Sequence, residues 1–257
     1  MTYFCEMRYL LSLIAALMLM SGCRKTEDIT ATMQPAIDNA TAFQSVAAHA
    51  FLPTAEVLRD WGNSRANVPF LMLTDSGVWF DFKTGIVCPD GLIRSGKCLV
   101  KNGFSLNNFE DTIWFSASPA DSFAVISSAG PVYFSGKLKF THKSAYQLSV
   151  NGNADIRTRD KQFPVSIDGL IELDPEGQNT RSAKFKTSWF ADVVLAGKES
   201  YHYEVTRTSD CFPSFSLGSG HSYSNAIQIN FNPFSNAACD PVVKFTSGRE
   251  EWLADLW

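Results

Sequence analysis

Cysteine, histidine, serine and carboxylate are the residue types through which this chain could do chemistry, and their spacing is the first constraint. Of its six cysteines, Cys88, Cys98, Cys211 and Cys239 lie in the body of the chain. An even number of thiols in an oxidising compartment predicts disulfides, and about three connectivities are open to four cysteines. Cys88–Cys98 is the local choice, since both flank a Pro-Asp-Gly loop between two strand candidates and could face each other across a hairpin. Cys211–Cys239 would then tie the last strands together. A loop of about 15 residues closed in this way contributes ~3 kcal/mol in the chain-entropy model. A four-thiolate zinc site competes with this reading, but no Cys-x-x-Cys spacing supports it and no metal site is assigned.

The usual catalytic constellations are missing from the sequence. It has no His-Glu-x-x-His, no phosphate-cradling glycine loop with lysine, and no Gly-x-Ser-x-Gly elbow. Gly218-Ser219-Gly220-His221 sets a serine two residues from a histidine, which on a strand would share a face, but its composition reads as a surface loop. His49, His142, His202 and His221 are scattered without ligand spacing, and each is expected to be solvated or singly hydrogen-bonded. Glu110-Asp111 and Glu250-Glu251 are adjacent pairs that a strand would point to opposite faces, whereas glycoside hydrolysis needs two carboxyl groups facing across a cleft. Asp81, Asp90, Asn236 and Asp240 carry oxygen atoms suited to calcium, yet no contiguous acidic loop holds them, and turn formation explains them. No cofactor is implied. Trp61, Trp79, Trp114, Trp189, Trp252 and Trp257 could stack on sugar rings, but most sit at alternate strand positions, where core packing is the ordinary use.

The elements that would carry these residues follow from periodicity. Residues 24–37 are polar and aperiodic and read as a tether, part of a segment 23–37. Within 38–62, Phe43, Val46, Ala47, Ala50 and Phe51 recur at helical spacing, with Asp38 as a candidate N-cap and Pro53 as the stop. A second short helix is expected over 55–61. From residue 68 the pattern changes to period two, rich in Val, Ile, Phe, Tyr and Thr, with turn residues between short runs. Residues 63–257 therefore form a mainly β domain, an antiparallel meander, sandwich or open barrel-like sheet behind a short helical segment. Asn151-Gly152-Asn153 reads as one of its turns, and residues 251–257 as a closing edge strand. A net charge of −4 leaves no electrostatic footprint for nucleic acid.

Residues 10–20, Leu-Leu-Ser-Leu-Ile-Ala-Ala-Leu-Met-Leu-Met, follow Arg8 and run straight into Ser21-Gly22-Cys23. At 1.5 Å per residue such a run reaches only about 16 Å, short of a ~30 Å hydrocarbon core, so it reads as a signal-peptide apolar region over residues 1–22. Small residues before a cysteine at this place resemble the lipobox of bacterial lipoproteins. That resemblance implies acylation of Cys23, cleavage before it, and a partner that is the membrane itself. Two or more acyl chains anchor stably where one does not. Arg24, rather than Asp, after the lipidated cysteine favours the outer membrane by the same resemblance.

Further along, Asp81-Phe82, Cys88, Asp90-Gly91, Arg94-Ser95-Gly96-Lys97 and Cys239-Asp240 resemble a group of uncharacterised envelope lipoproteins of the Bacteroidota. Lys83 stands where that group often has glycine. The resemblance implies a β-rich exported lipoprotein and brings no activity with it. Three functions are therefore expected, in this order. The first is a non-enzymatic envelope lipoprotein, structural or adhesive, with another envelope protein as a possible partner. The second is a surface glycan-binding lipoprotein using exposed Trp or Tyr. The third is a hydrolase.

Overall fold

Period-two patterning from residue 71 onward produces strands, and the turn residues between them produce antiparallel pairing. In the computed structural model, residues 26–60 and 71–256 are described, apart from 76, 89–91, 103–110, 128, 145–146, 174–185, 197–198, 209–215, 224–226 and 235–241. The strands are β1 (Leu71–Thr74), β2 (Gly77–Val87), β3 (Ile93–Asn102), β4 (Thr112–Ala117), β5 (Ala124–Ser127), β6 (Gly130–Ser144) and β7 (Gln147–Arg157). They continue as β8 (Gln162–Leu173), β9 (Lys186–Leu195), β10 (Ser200–Thr208), β11 (Leu217–Ser222), β12 (Ile227–Asn230), β13 (Val242–Ser247) and β14 (Glu250–Asp255). All belong to one 14-stranded antiparallel sheet running in chain order, except that β5 shares with β4 the place between β3 and β6 and pairs with both farther along them. The strand order is that of a meander, as the mainly β antiparallel reading allows, and β14 is an edge strand as expected.

Among the described residues, one α-helix, α1 (Thr26–Asp60), precedes the sheet. The chain divides into two units, Met1–Ala36, helical over the described residues, and Ile37–Trp257, which holds the rest of α1 and every strand. This corrects three expectations. The segment taken as a tether is helical from Thr26, Asp38 lies inside the helix rather than capping it, and the helix runs through Pro53. A proline inside a helix removes one donor and costs ~3 kcal/mol, which is a penalty and not a prohibition. Asp38 instead forms an ion pair of 2.8 Å with Lys161.

Residues 42–50 of α1 are all buried, and this part of the helix lies on the sheet face that carries the apolar half of each strand. Phe43 stacks on Tyr203 of β10, ring centroids 4.5 Å apart, and meets Trp189 of β9 edge-on at 6.1 Å. Asn39, also buried, accepts the Tyr203 hydroxyl at 2.7 Å and donates to the Val193 carbonyl at 3.1 Å. Farther along the helix, the ring of His49 lies against Phe123 and Phe134, and the Arg94 guanidinium of β3 donates to the Ala48 carbonyl at 2.7 Å.

Two glycines mark places the sequence pattern misreads or cannot foresee. Gly152 is not a turn: β7 runs unbroken through residues 151–153, and a Cβ there would come within 2.3 Å of the Lys137 carbonyl oxygen on β6. It is a close approach of two backbones, which glycine also serves. Gly96, at φ +75°, sits where the β4–β5 connection crosses β3, and its Cβ would meet the Ser122 carbonyl oxygen at 2.2 Å.

Candidate binding face

The sheet face opposite α1 is built by the other half of each strand's alternation. Cross-strand register aligns Lys101 of β3, Trp114 of β4, Lys139 of β6 and Asn151 of β7. The same row continues through Asp168 of β8, Asp192 of β9, His202 of β10 and His221 of β11. Gln228, Thr246 and Glu251 complete it on β12–β14. None of these residues is buried, whereas Val100, Phe115, Leu138, Val150, Ile167, Val193 and Tyr201, on the opposite parity, all are. Directly opposed side chains in antiparallel strands lie about 5 Å apart, so the row is a continuous line of neighbours.

Charge is segregated along it. At the β3–β6 end, the Lys137 ammonium sits 3.9 Å from the centroid of the Trp114 ring and that of Lys139 at 5.9 Å. At the β9–β11 end, His202 Nδ1 lies 2.8 Å from an Asp192 carboxylate oxygen and its Nε2 3.5 Å from Glu204. The Tyr223 hydroxyl donates to the same Asp192 oxygen at 3.0 Å, and that hydrogen bond holds the phenol above its ordinary pKa. His221 completes the cluster, its ring 5.4 Å from His202 and 5.5 Å from Tyr223. Sequence reasoning missed this assembly, because its members come from three strands and only the register brings them together.

The sequence-predicted sites fare differently. Cys23, Cys211, Cys239, Trp61, Trp257, Asp90, Asn236 and Glu110 lie outside the described residues. Ser219 and His221 lie on β11, a strand and not the loop expected, and among the described residues no hydrogen bond joins them. The expectation for His49 is also corrected: it is wholly buried, its Nδ1 2.6 Å from the Ser45 carbonyl and its Nε2 2.8 Å from that of Val132. Asp81 keeps its turn role, accepting the Lys83 amide, and Lys83 adopts φ +51°. That left-handed conformation is the one glycine takes most readily, so the bulge keeps a glycine-like geometry with lysine in place. Arg94, read as one part of a family pattern, is fully buried against α1, and Lys97 pairs with Asp81 at 3.5 Å. Trp189 is core, as its alternate position suggests, while Trp79 and Trp114 occupy the face opposite the helix.

Cys88 and Cys98 are buried thiols, not a disulfide, which corrects the expected pairing. The reason is register. Cys98 stands opposite Phe80, whereas the Cys88 amide bonds to Leu92, so the two are not cross-strand partners across the hairpin. The Cys88 thiol donates to the Ile86 carbonyl at 3.6 Å. Burial, ahead of the nearby charges, pushes the Cys98 thiol well above its usual pKa, so little thiolate forms. Neither thiol should react with a maleimide in the folded protein, and both should react in 6 M guanidinium. Peptide mapping after labelling checks this, and a recovered Cys88–Cys98 cross-link would contradict it.

Comparison with known proteins finds no match: no family model fits the chain, and no curated protein or solved structure is significantly similar to it.

Proposed function

We propose that the protein is a lipid-anchored protein of the bacterial cell envelope, held at the outer membrane through Cys23, with a non-enzymatic, adhesive role carried by its β-rich domain. The observation that carries the adhesive half is the unbroken line of polar and aromatic side chains from Lys101 to Glu251, on the face that α1 leaves open. A long solvated row with segregated charge suits contact with an extended partner. The anchoring half rests on the apolar run 10–20 and on Ser21-Gly22-Cys23.

Mass spectrometry of the native protein tests the anchor. The expected amino terminus is an acylated Cys23, and Cys23→Ala should move the protein out of the detergent-extracted membrane fraction. An unacylated mature chain would overturn the proposal. Protease shaving of intact cells then reports which side of the membrane the face looks toward.

A further inference from the structure

Lys101 and Lys139 flank Trp114 in register, and Lys137, two residues from Lys139 on the same face, lies over the indole ring. Among the described residues, no carboxylate lies within ion-pair distance of any of the three lysines. The nearest candidate in register, Asp155 of β7, accepts instead from the Gln162 side chain of β8. Two ammonium groups are thus gathered on a half-buried tryptophan, with a third lysine opposite it in register, in a protein of net charge −4. None of the three pairs with a carboxylate among the described residues, which marks a place for an anion.

We infer that this patch binds an acidic polysaccharide, with Lys101, Lys137 and Lys139 meeting its carboxylate or sulfate groups. The inference deepens the adhesive reading and rests on it. Around the lysines the face offers hydroxyl and amide groups, Ser116 opposite Lys137 on β4 and Asn151 and Asn153 on β7, which can exchange hydrogen bonds with sugar hydroxyls. An anionic bilayer fits less well, because a plane covering this face would also meet Asp168, Asp192 and Glu204 a few strands away. A thin polymer can follow β4 and β6 and avoid them. Single-stranded nucleic acid needs free aromatic faces for base stacking, and here Lys137 covers the indole. Trp114 acts as the support that fixes the ammonium groups, a role the cation–π contact explains. This differs from the sugar-stacking platform first expected of the tryptophans.

The test is equilibrium binding of the full chain carrying Cys23→Ala, so that acyl groups add nothing, to four probes. These are polygalacturonate, neutral dextran of equal length, phosphatidylglycerol vesicles and single-stranded DNA. Polygalacturonate should bind best and dextran not measurably. K101Q/K137Q/K139Q should weaken polygalacturonate binding at least tenfold, with circular dichroism and urea midpoint unchanged because none of the three side chains is buried. Three neutralised charges should give a slope of about −2 in log affinity against log salt. Unchanged affinity in the triple variant, or vesicles or DNA binding as well as polygalacturonate, would overturn the inference, as would no binding to any probe. Loss of acylation at Cys23 would instead strike the anchoring proposal and leave this binding intact.

Discussion

Phe43→Ala should destabilise the protein by about 4 kcal/mol, in the range measured for large aromatic truncations in packed cores. Phe43 is fully buried, and its ring is clamped between the face of Tyr203 and the edge of Trp189. Two contributions add here: the transfer of the phenyl group from water, and the contacts its neighbours lose around the space left behind. Collapse into that space is restricted. Asn39, one turn earlier, ties the Tyr203 hydroxyl and the Val193 carbonyl to α1, so the helix cannot sink toward β9 and β10 without breaking those bonds. Urea unfolding followed by tryptophan fluorescence reads the loss directly, because Trp189 is itself a neighbour. Leu253→Ala, on the exposed side of edge strand β14, should change stability by less than about 0.5 kcal/mol and serves as the control. Equal effects of the two substitutions would mean that α1 is not docked through Phe43.

The same contrast shows what the sequence could and could not disclose. Period two with turn residues was enough for a mainly β antiparallel fold, because alternation expresses directly which half of each strand is buried. It assigned most of the tryptophans to the core, which holds for Trp189 and not for Trp79 or Trp114. It failed where a residue type has two uses. Gly152 and Gly220 read as turn or loop residues, yet both lie within strands, where the missing side chain admits a neighbouring backbone or ring. Pro53 read as a stop, although it lies within the helix. The Cys88–Cys98 pairing failed for a geometric reason, since a hairpin brings together residues at equal distance from its turn. Cys88 adjoins the turn and meets Leu92, whereas Cys98 lies farther along β3 opposite Phe80. The buried arginines had no signal at all. Arg94 and Arg207 occupy inward positions of otherwise apolar strands, and nothing in their neighbours' identities distinguishes them from solvated arginines. The Asp192–His202–Tyr223 cluster and the lysine–tryptophan patch needed register, which one-dimensional spacing does not contain.

Acid should unfold this protein through His49. Burial, above all, lowers its pKa from 6.5 to about 4; the Ser45 and Val132 carbonyls oppose that shift, and the positive charge of Arg94 adds to it. The neutral ring has one N–H to donate, at Nδ1 to the Ser45 carbonyl or at Nε2 to the Val132 carbonyl of β6, and in the first case Nε2 accepts the Val125 amide of β5, so α1 is stitched to the sheet by an uncharged imidazole. The sign of the pH dependence follows. Between pH 4 and 6.5 the unfolded chain carries a proton on His49 that the folded chain lacks, so stability rises with pH across this window. The contribution is complete above pH 6.5 and is lost as pH falls toward 4, an interval equivalent to about 3.5 kcal/mol at ~1.4 kcal/mol per pH unit. Urea midpoints measured from pH 7.5 to 4 should therefore fall steeply in the native protein. His49→Gln keeps a donor and an acceptor near the same backbone groups but cannot titrate, so its curve should be less stable at pH 7 and flatter below 6.5. Carboxylates titrate equally in both proteins, and the difference between the two curves isolates the histidine. If the curves run parallel over that interval, the ring is not held neutral against α1 and β5, and acid sensitivity must come from elsewhere in the sheet.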